Sequence, residues 1–225
     1  MACQALTLAR YEFASFWSGT SGALALLVFL GLEGLLFYNS VASYALANLG
    51  AMARGGAVDA TLALFSASLT DQGLLLALVS PLATMRAFSV SAHGGHLDLL
   101  ASWPLGRTAL ILGLFLPAFA SLALLALLGL APFVLLLAMG VGSLRLLASS
   151  AIGLACLVSS FAALGLAVGS FVRRPMAAAL VTLGLIGFMW AMGWAAPYLP
   201  PPAAALLQGL AFGPRLGHFT IGLVD

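Results

Sequence analysis

Five apolar runs, each long enough to cross a hydrocarbon layer, leave this chain one kind of environment in which to fold. A helix needs about 20 apolar residues to span a bilayer core. The runs cover residues 21–47, 69–88, 108–137, 144–171 and 176–198. Charged residues make up only 6% of the chain and mean hydropathy is +1.16; a soluble domain carries roughly 25% charge. Too little polar surface exists to cover a water-soluble fold. The expected fold class is all-α, a polytopic membrane helix bundle forming a single transmembrane domain. An interfacial helix occupies 1–20, five spans lie within 21–198, and an outer segment covers 199–225.

The few charges exclude several functions. All eight basic residues are arginine: Arg10, Arg54, Arg86, Arg107, Arg145, Arg173, Arg174 and Arg215. Without lysine the chain has no Walker-type phosphate loop and no Schiff-base amine. A net charge of +2 is too small to imply nucleic-acid binding. Cys3 and Cys156 lie far apart, show no metal-ligand spacing, and read as small apolar fillers. With the N-terminus inside, Arg10, Arg86, Arg107, Arg173 and Arg174 face the cytoplasm and Arg54, Arg145 and Arg215 face outside. That bias favours an N-in orientation.

Local patterns refine the picture. Leu6, Leu8, Tyr11, Phe13, Phe16 and Trp17, with Arg10 and Glu12 between them, make a segment too short to span. It reads either as a helix lying in the membrane interface or as an extension of the first span. The small residues Ala45 and Ala47 flank Leu46 like a signal cleavage site. The apolar stretch before them is about twice the 7–15 residues of a signal core, so the span is read as retained. Pro117 and Pro132 allow the third span to tilt or break. Gly165 and Gly169 sit four apart on the fourth span, a spacing for close packing within the bundle.

Charges inside spans are the first places to look for function. Glu33, mid-span, is the leading candidate, as a functional intramembrane acid or a hydrogen-bonded structural one. Asp71 and Arg86 sit near opposite ends of the second run, within reach of the interfaces. His93 and His96 have a spacing some metal sites use, but Gly94 and Gly95 between them disfavour a rigid helix. No catalytic residue and no metal or cofactor site is expected.

Between the second and third spans the sequence becomes specific. Pro81-Leu82-Ala83-Thr84-Met85-Arg86, then Gly95-His96-Leu97-Asp98-Leu99-Leu100 and Pro104, resembles the ABC-2 type permeases, most closely the gliding-motility-type subfamily. That family carries a P-L-L-T-M-R run, an acidic E-E-R stretch, G-T-L-E-L-L-L and a following proline at the same spacing. Arg10-Tyr11-Glu12-Phe13 is similar to its N-terminal helix, residues 165–178 to its fourth-to-fifth span junction, and Gly217-His218-Phe219 with Gly222-Leu223-Val224-Asp225 to its last outer segment. Three departures stand out. Val90 and Ser91 replace paired glutamates, with His96 for a threonine; Val172-Arg173-Arg174-Pro175 replaces a polar T-x-N-Q; and the family's sixth span would follow Asp225. The resemblance therefore implies either a sixth span beyond the sequence given or a five-span variant ending outside.

The resemblance also implies a function. The chain would be the permease subunit of an ATP-driven exporter in the bacterial inner membrane. A short cytoplasmic coupling helix within 86–107 would dock separate ABC ATPase subunits through Arg86, Phe88, Leu97, Asp98, Leu99 and Leu100. ATP and Mg²⁺ would belong to that partner, not to this chain. A second permease copy or a paralogue would complete the path, and an auxiliary extracytoplasmic subunit is a further expected partner. The competing reading is a non-transporting membrane scaffold, since the acidic pair is missing. An intramembrane enzyme would need paired polar residues at matching depth, which the sequence does not display.

Overall fold

The computed structural model describes residues 2–93, 107–172 and 174–220. Regular structure among them is helical: α1 (Ala2–Ser18), α2 (Thr20–Met52), α3 (Ala60–His93), α4 (Arg107–Leu128), α5 (Ala131–Ala138), α6 (Leu144–Phe171), α7 (Pro175–Ala195), a 3₁₀ turn at Ala196–Tyr198, α8 (Pro201–Leu210) and α9 (Phe212–Thr220). Among the described residues, five stretches are long and apolar enough to cross a membrane: Gly22–Met52, Ala60–Met85, Ile111–Ala138, Leu144–Phe171 and Pro175–Tyr198. The polytopic all-helical reading holds, and the chain is a multi-pass membrane protein. The third stretch is two helices, α4 and α5, with Pro132 in the first turn of α5. Pro117 stays inside α4.

The second span begins earlier than the sequence indicates, at Ala60 rather than Leu69. Thr61, Ser66, Ser68 and Thr70 lower the hydropathy there, yet two of these hydroxyls are satisfied within the helix. Ser66 Oγ donates to the Leu62 carbonyl at 2.6 Å and Thr70 Oγ1 to the Ser66 carbonyl at 2.8 Å. Hydroxyls bonded back to the preceding turn present little polarity to lipid.

Contacts divide the chain into two compact units. One comprises Met1–Leu27, Leu76–Leu125 and Val158–Gly187. In it, α1 is a helix of its own, not a continuation of the first span: the chain breaks at Gly19, whose carbonyl accepts from the Gly22 amide at 3.2 Å. Gly22 lies so close to the Phe16 carbonyl that a Cβ there would collide with backbone. The same unit carries a proline in mid-span. Pro81 has no amide hydrogen, so the Ala77 carbonyl loses its helical donor. Ser80 Oγ donates to that carbonyl at 3.0 Å. One turn on, Thr84 Oγ1 donates to the Ser80 carbonyl at 2.9 Å, and the Thr84 side chain fills the space Gly165 leaves on α6. Gly165 thus serves packing within the chain.

The other unit comprises Val28–Leu75, Ala126–Leu157 and Phe188–Asp225. It holds the turns between spans. Asp59 Oδ1 accepts from the Thr61 amide at 2.9 Å and caps α3, and Ser143 Oγ accepts from the Leu146 amide at 3.3 Å and caps α6. Gly142 has φ +97°, and Phe65 packs where its side chain would stand. The Phe65 ring meets Phe133 edge-on, centroids 5.0 Å apart.

The outer segment does not simply trail along the surface. α9 packs back onto the spans of this unit. Leu216 is buried and lies with Trp190 against Gly73; Pro214 lies against Gly193, and the Phe219 ring against Gly153. Ser149 Oγ donates to the Phe219 carbonyl at 2.9 Å, satisfying a group near the end of α9. Gly73 is about 20 Å along α3 from Ala60 at 1.5 Å per residue, so α9 docks well inside the span rather than at its rim.

Ser80 and Pro81 give a paired test. Ser80→Ala should lower stability in detergent by about 1–3 kcal/mol, the cost of an unsatisfied buried carbonyl. Adding Pro81→Ala, which returns an amide donor to Ala77, should recover most of the loss. Thermal or SDS unfolding of the two variants checks this, and a double variant no more stable than the single would show that the Ser80 bond contributes little.

Candidate functional site

α2 buries one narrow stripe, Ala25, Phe29, Glu33 and Ser40, and leaves most other positions exposed. The stripe changes from apolar to polar along its length. Glu33 is only 4% exposed, so the single acid of the first span points into the protein rather than toward lipid. Across from it, α3 presents Ser68, Asp71 and Gln72, spaced to share one face. Ser40 Oγ donates to Asp71 Oδ2 at 3.2 Å, and Asp71 is near enough to act electrostatically on Glu33. Phe29, Glu33, Ser40, Ser68, Asp71 and Gln72 belong to one compact unit.

Asp71 therefore has a different place from the one the sequence indicates. Because α3 starts at Ala60, Asp71 is about 17 Å into the span and only partly exposed. It is a mid-span acid held by a serine of the neighbouring helix. The sequence names no partner for Glu33; the structure brings Asp71 into its field. The signal for the pairing was the antiparallel register of α2 and α3, which places Ser40 beside Asp71 and is not a local property.

Gln72 has a separate task. In a continuous helix the Leu130 amide would serve the Ala126 carbonyl, but at the α4–α5 break it donates to Leu127 instead, at 3.2 Å. Gln72, fully buried, donates its Nε2 to the Ala126 carbonyl at 2.7 Å. Gly129 makes room for it, since a Cβ there would run into the Gln72 amide. The break in the third span is thus sealed from the second.

What remains is a group of unmet polar atoms, two acceptor oxygens and one hydroxyl. Glu33 Oε2, Gln72 Oε1 and Ser68 Oγ are buried with no hydrogen-bond partner among the described residues. Two carboxyls and an amide oxygen suit a proton or a donor-bearing group, and two like charges at this depth repel strongly when both are ionised. A metal cluster is not formed: among the described residues no three His, Cys, Asp or Glu side chains gather.

The docking residues expected from the sequence fall elsewhere. Arg86 and Phe88 lie on the last turns of α3, which continues to His93. The first part of the 86–107 segment is thus an extension of the second span. Leu97, Asp98, Leu99 and Leu100, with His96, lie outside the described residues.

Glu33→Leu separates a functional acid from a structural one. Removing an acceptor buried without a donor should stabilise the fold by about 1–3 kcal/mol, read as a raised unfolding midpoint in detergent. A lowered midpoint would mark Glu33 as a hydrogen-bonding anchor of the α2–α3 pair. No protein-family model, no curated protein and no solved structure matches this chain.

Proposed function

We propose that this chain is the transmembrane permease subunit of an ABC-2 type exporter in the bacterial inner membrane, with its N-terminus in the cytoplasm. The observation that carries the reading is the run from Pro81 to Pro104, whose residues and spacing resemble the coupling segment of that family. Five spans preceded by a separate N-terminal helix are compatible with it. The chain supplies a membrane path, and the lysine-free sequence leaves ATP and Mg²⁺ to separate ATPase subunits. Those subunits dock on residues 86–107, and their closing motion moves the spans that flank the segment.

The burial pattern supports a second copy or paralogue as a further partner. α7 buries one stripe, Ala178, Thr182, Ile186 and Trp190, while Leu180, Phe188 and Trp194 stay exposed. α2 is similarly one-sided, with Leu24, Leu27, Leu35 and Tyr38 exposed. A path enclosed by two such subunits uses faces of this kind. The absence of acids at Val90 and Ser91 favours one alternative, a membrane scaffold that docks without coupling.

With few charges in the segment, docking leans on apolar anchors. Truncating one costs about 2 kcal/mol or more, while exposed ion pairs contribute little. Leu99→Ala or Leu100→Ala should therefore weaken co-purification of a co-expressed ABC ATPase partner more than His93→Ala does. Equal retention by all three moves the docking site elsewhere. Cysteines placed at Ser91 and Ala57 should label from opposite sides of the membrane, and labelling from one side would overturn the five-span topology.

A further inference from the structure

A groove of about 300 Å³ runs between α1 and α4, within one compact unit. Its walls are Leu6, Ala9, Arg10 and Phe13 from α1 and Leu116, Pro117 and Ala120 from α4. The α1 residues follow the i, i+3, i+4, i+7 spacing of one helix face. Six of the seven are apolar, and the seventh is an arginine. Arg10 is exposed, and among the described residues no carboxylate forms an ion pair with it. Glu12, the nearest acid in sequence, lies about 160° from Arg10 around α1.

The depth of the groove identifies its surroundings. The apolar stretch of the third span begins at Ile111. Leu116 and Ala120 lie about 8 and 14 Å along the helix from there. That depth lies among the acyl chains, and the long arginine side chain of α1 can reach from it toward the headgroups. A volume at the small end of the roughly 300–1,000 Å³ of ligand pockets admits one chain segment, not a whole lipid. An apolar slot with an exposed guanidinium in its wall is complementary to a hydrocarbon tail carrying a negative head.

We propose that the α1–α4 groove binds one acyl chain of an anionic phospholipid, with Arg10 holding the phosphate. The site pins the N-terminal helix to the membrane surface through a specific lipid rather than through general partitioning. It is independent of the transport reading, since it needs only α1, α4 and a bilayer.

The test uses the purified full-length chain in detergent, titrated with phosphatidylglycerol or phosphatidylcholine of identical acyl chains, with bound lipid counted by native mass spectrometry. The wild-type chain should retain one phosphatidylglycerol in preference to phosphatidylcholine. Arg10→Gln should lower the phosphatidylglycerol affinity about fivefold, the effect of one basic residue at an anionic surface, and leave phosphatidylcholine unchanged. Arg10→Lys should keep most of the preference. Ala120→Phe, which fills the groove, should reduce retention of both lipids. Arg10 is exposed, so its variants test the site whether or not the Ala120 variant folds. Equal retention of the two lipids, a phosphatidylglycerol affinity unchanged in Arg10→Gln, or a protein mass free of lipid would each overturn the proposal.

Discussion

Every peptide group inside a hydrocarbon layer must find its hydrogen-bond partner within the protein, and that requirement organises this fold more than any side-chain contact. A continuous helix meets it automatically. The informative places are those where the helix is interrupted. At Pro81 the freed Ala77 carbonyl is served by the adjacent Ser80, and at the α4–α5 break the freed Ala126 carbonyl is served by Gln72 of another span. Near the end of α9, Ser149 serves Phe219. Ser80, Gln72 and Ser149 are committed to mending backbone. That is why so apolar a sequence still spends serines and a buried glutamine in its interior.

Glycine complements this repair. With few large polar contacts available, helices associate through close backbone approach and dispersion. Gly165 receives Thr84, Gly153 receives Phe219, Gly193 receives Pro214, and Gly73 receives Trp190 and Leu216. Three of these four serve the docking of the C-terminal segment and its neighbours. α9 is short and contains a proline and two glycines, so its own helical propensity is weak. Its position depends on the notches prepared for it on the spans.

How much of this the sequence discloses follows from range. Hydropathy is local, and so the number of spans, the fourth span from Leu144 to Phe171, and the glycine turn before it are legible directly. The start of the second span is not, because Thr61, Ser66 and Ser68 read as polar while Ser66 hides its hydroxyl in the helix. That shift changes the meaning of Asp71 from a solvated end to a mid-span acid beside Ser40. Pairings such as Ser40 with Asp71 or Gln72 with Ala126 depend on the register of two helices, and one residue of slip turns a helix face by about 100°. No local pattern carries that information. The docking residues Leu97 to Leu100 rest on resemblance alone.

The distribution of unmet bonds then separates structural from functional polarity. In the Pro81 region each hydroxyl is used: Ser80 and Thr84 both donate to carbonyls. Along α2 and α3 the opposite holds, with Glu33 Oε2, Ser68 Oγ and Gln72 Oε1 all buried and unpartnered among the described residues. A sequence under selection only for folding would replace Glu33 by leucine, which fits the stripe of Ala25 and Phe29 and needs no donor. Positions where a local rule fails without compensation are where a task other than stability is to be sought first. Of the candidate residues, Glu33 meets that description most directly, and Asp71 shares its field. A pair of acids on two adjacent spans lies where movement of one helix against the other changes both the distance between the charges and their access to water.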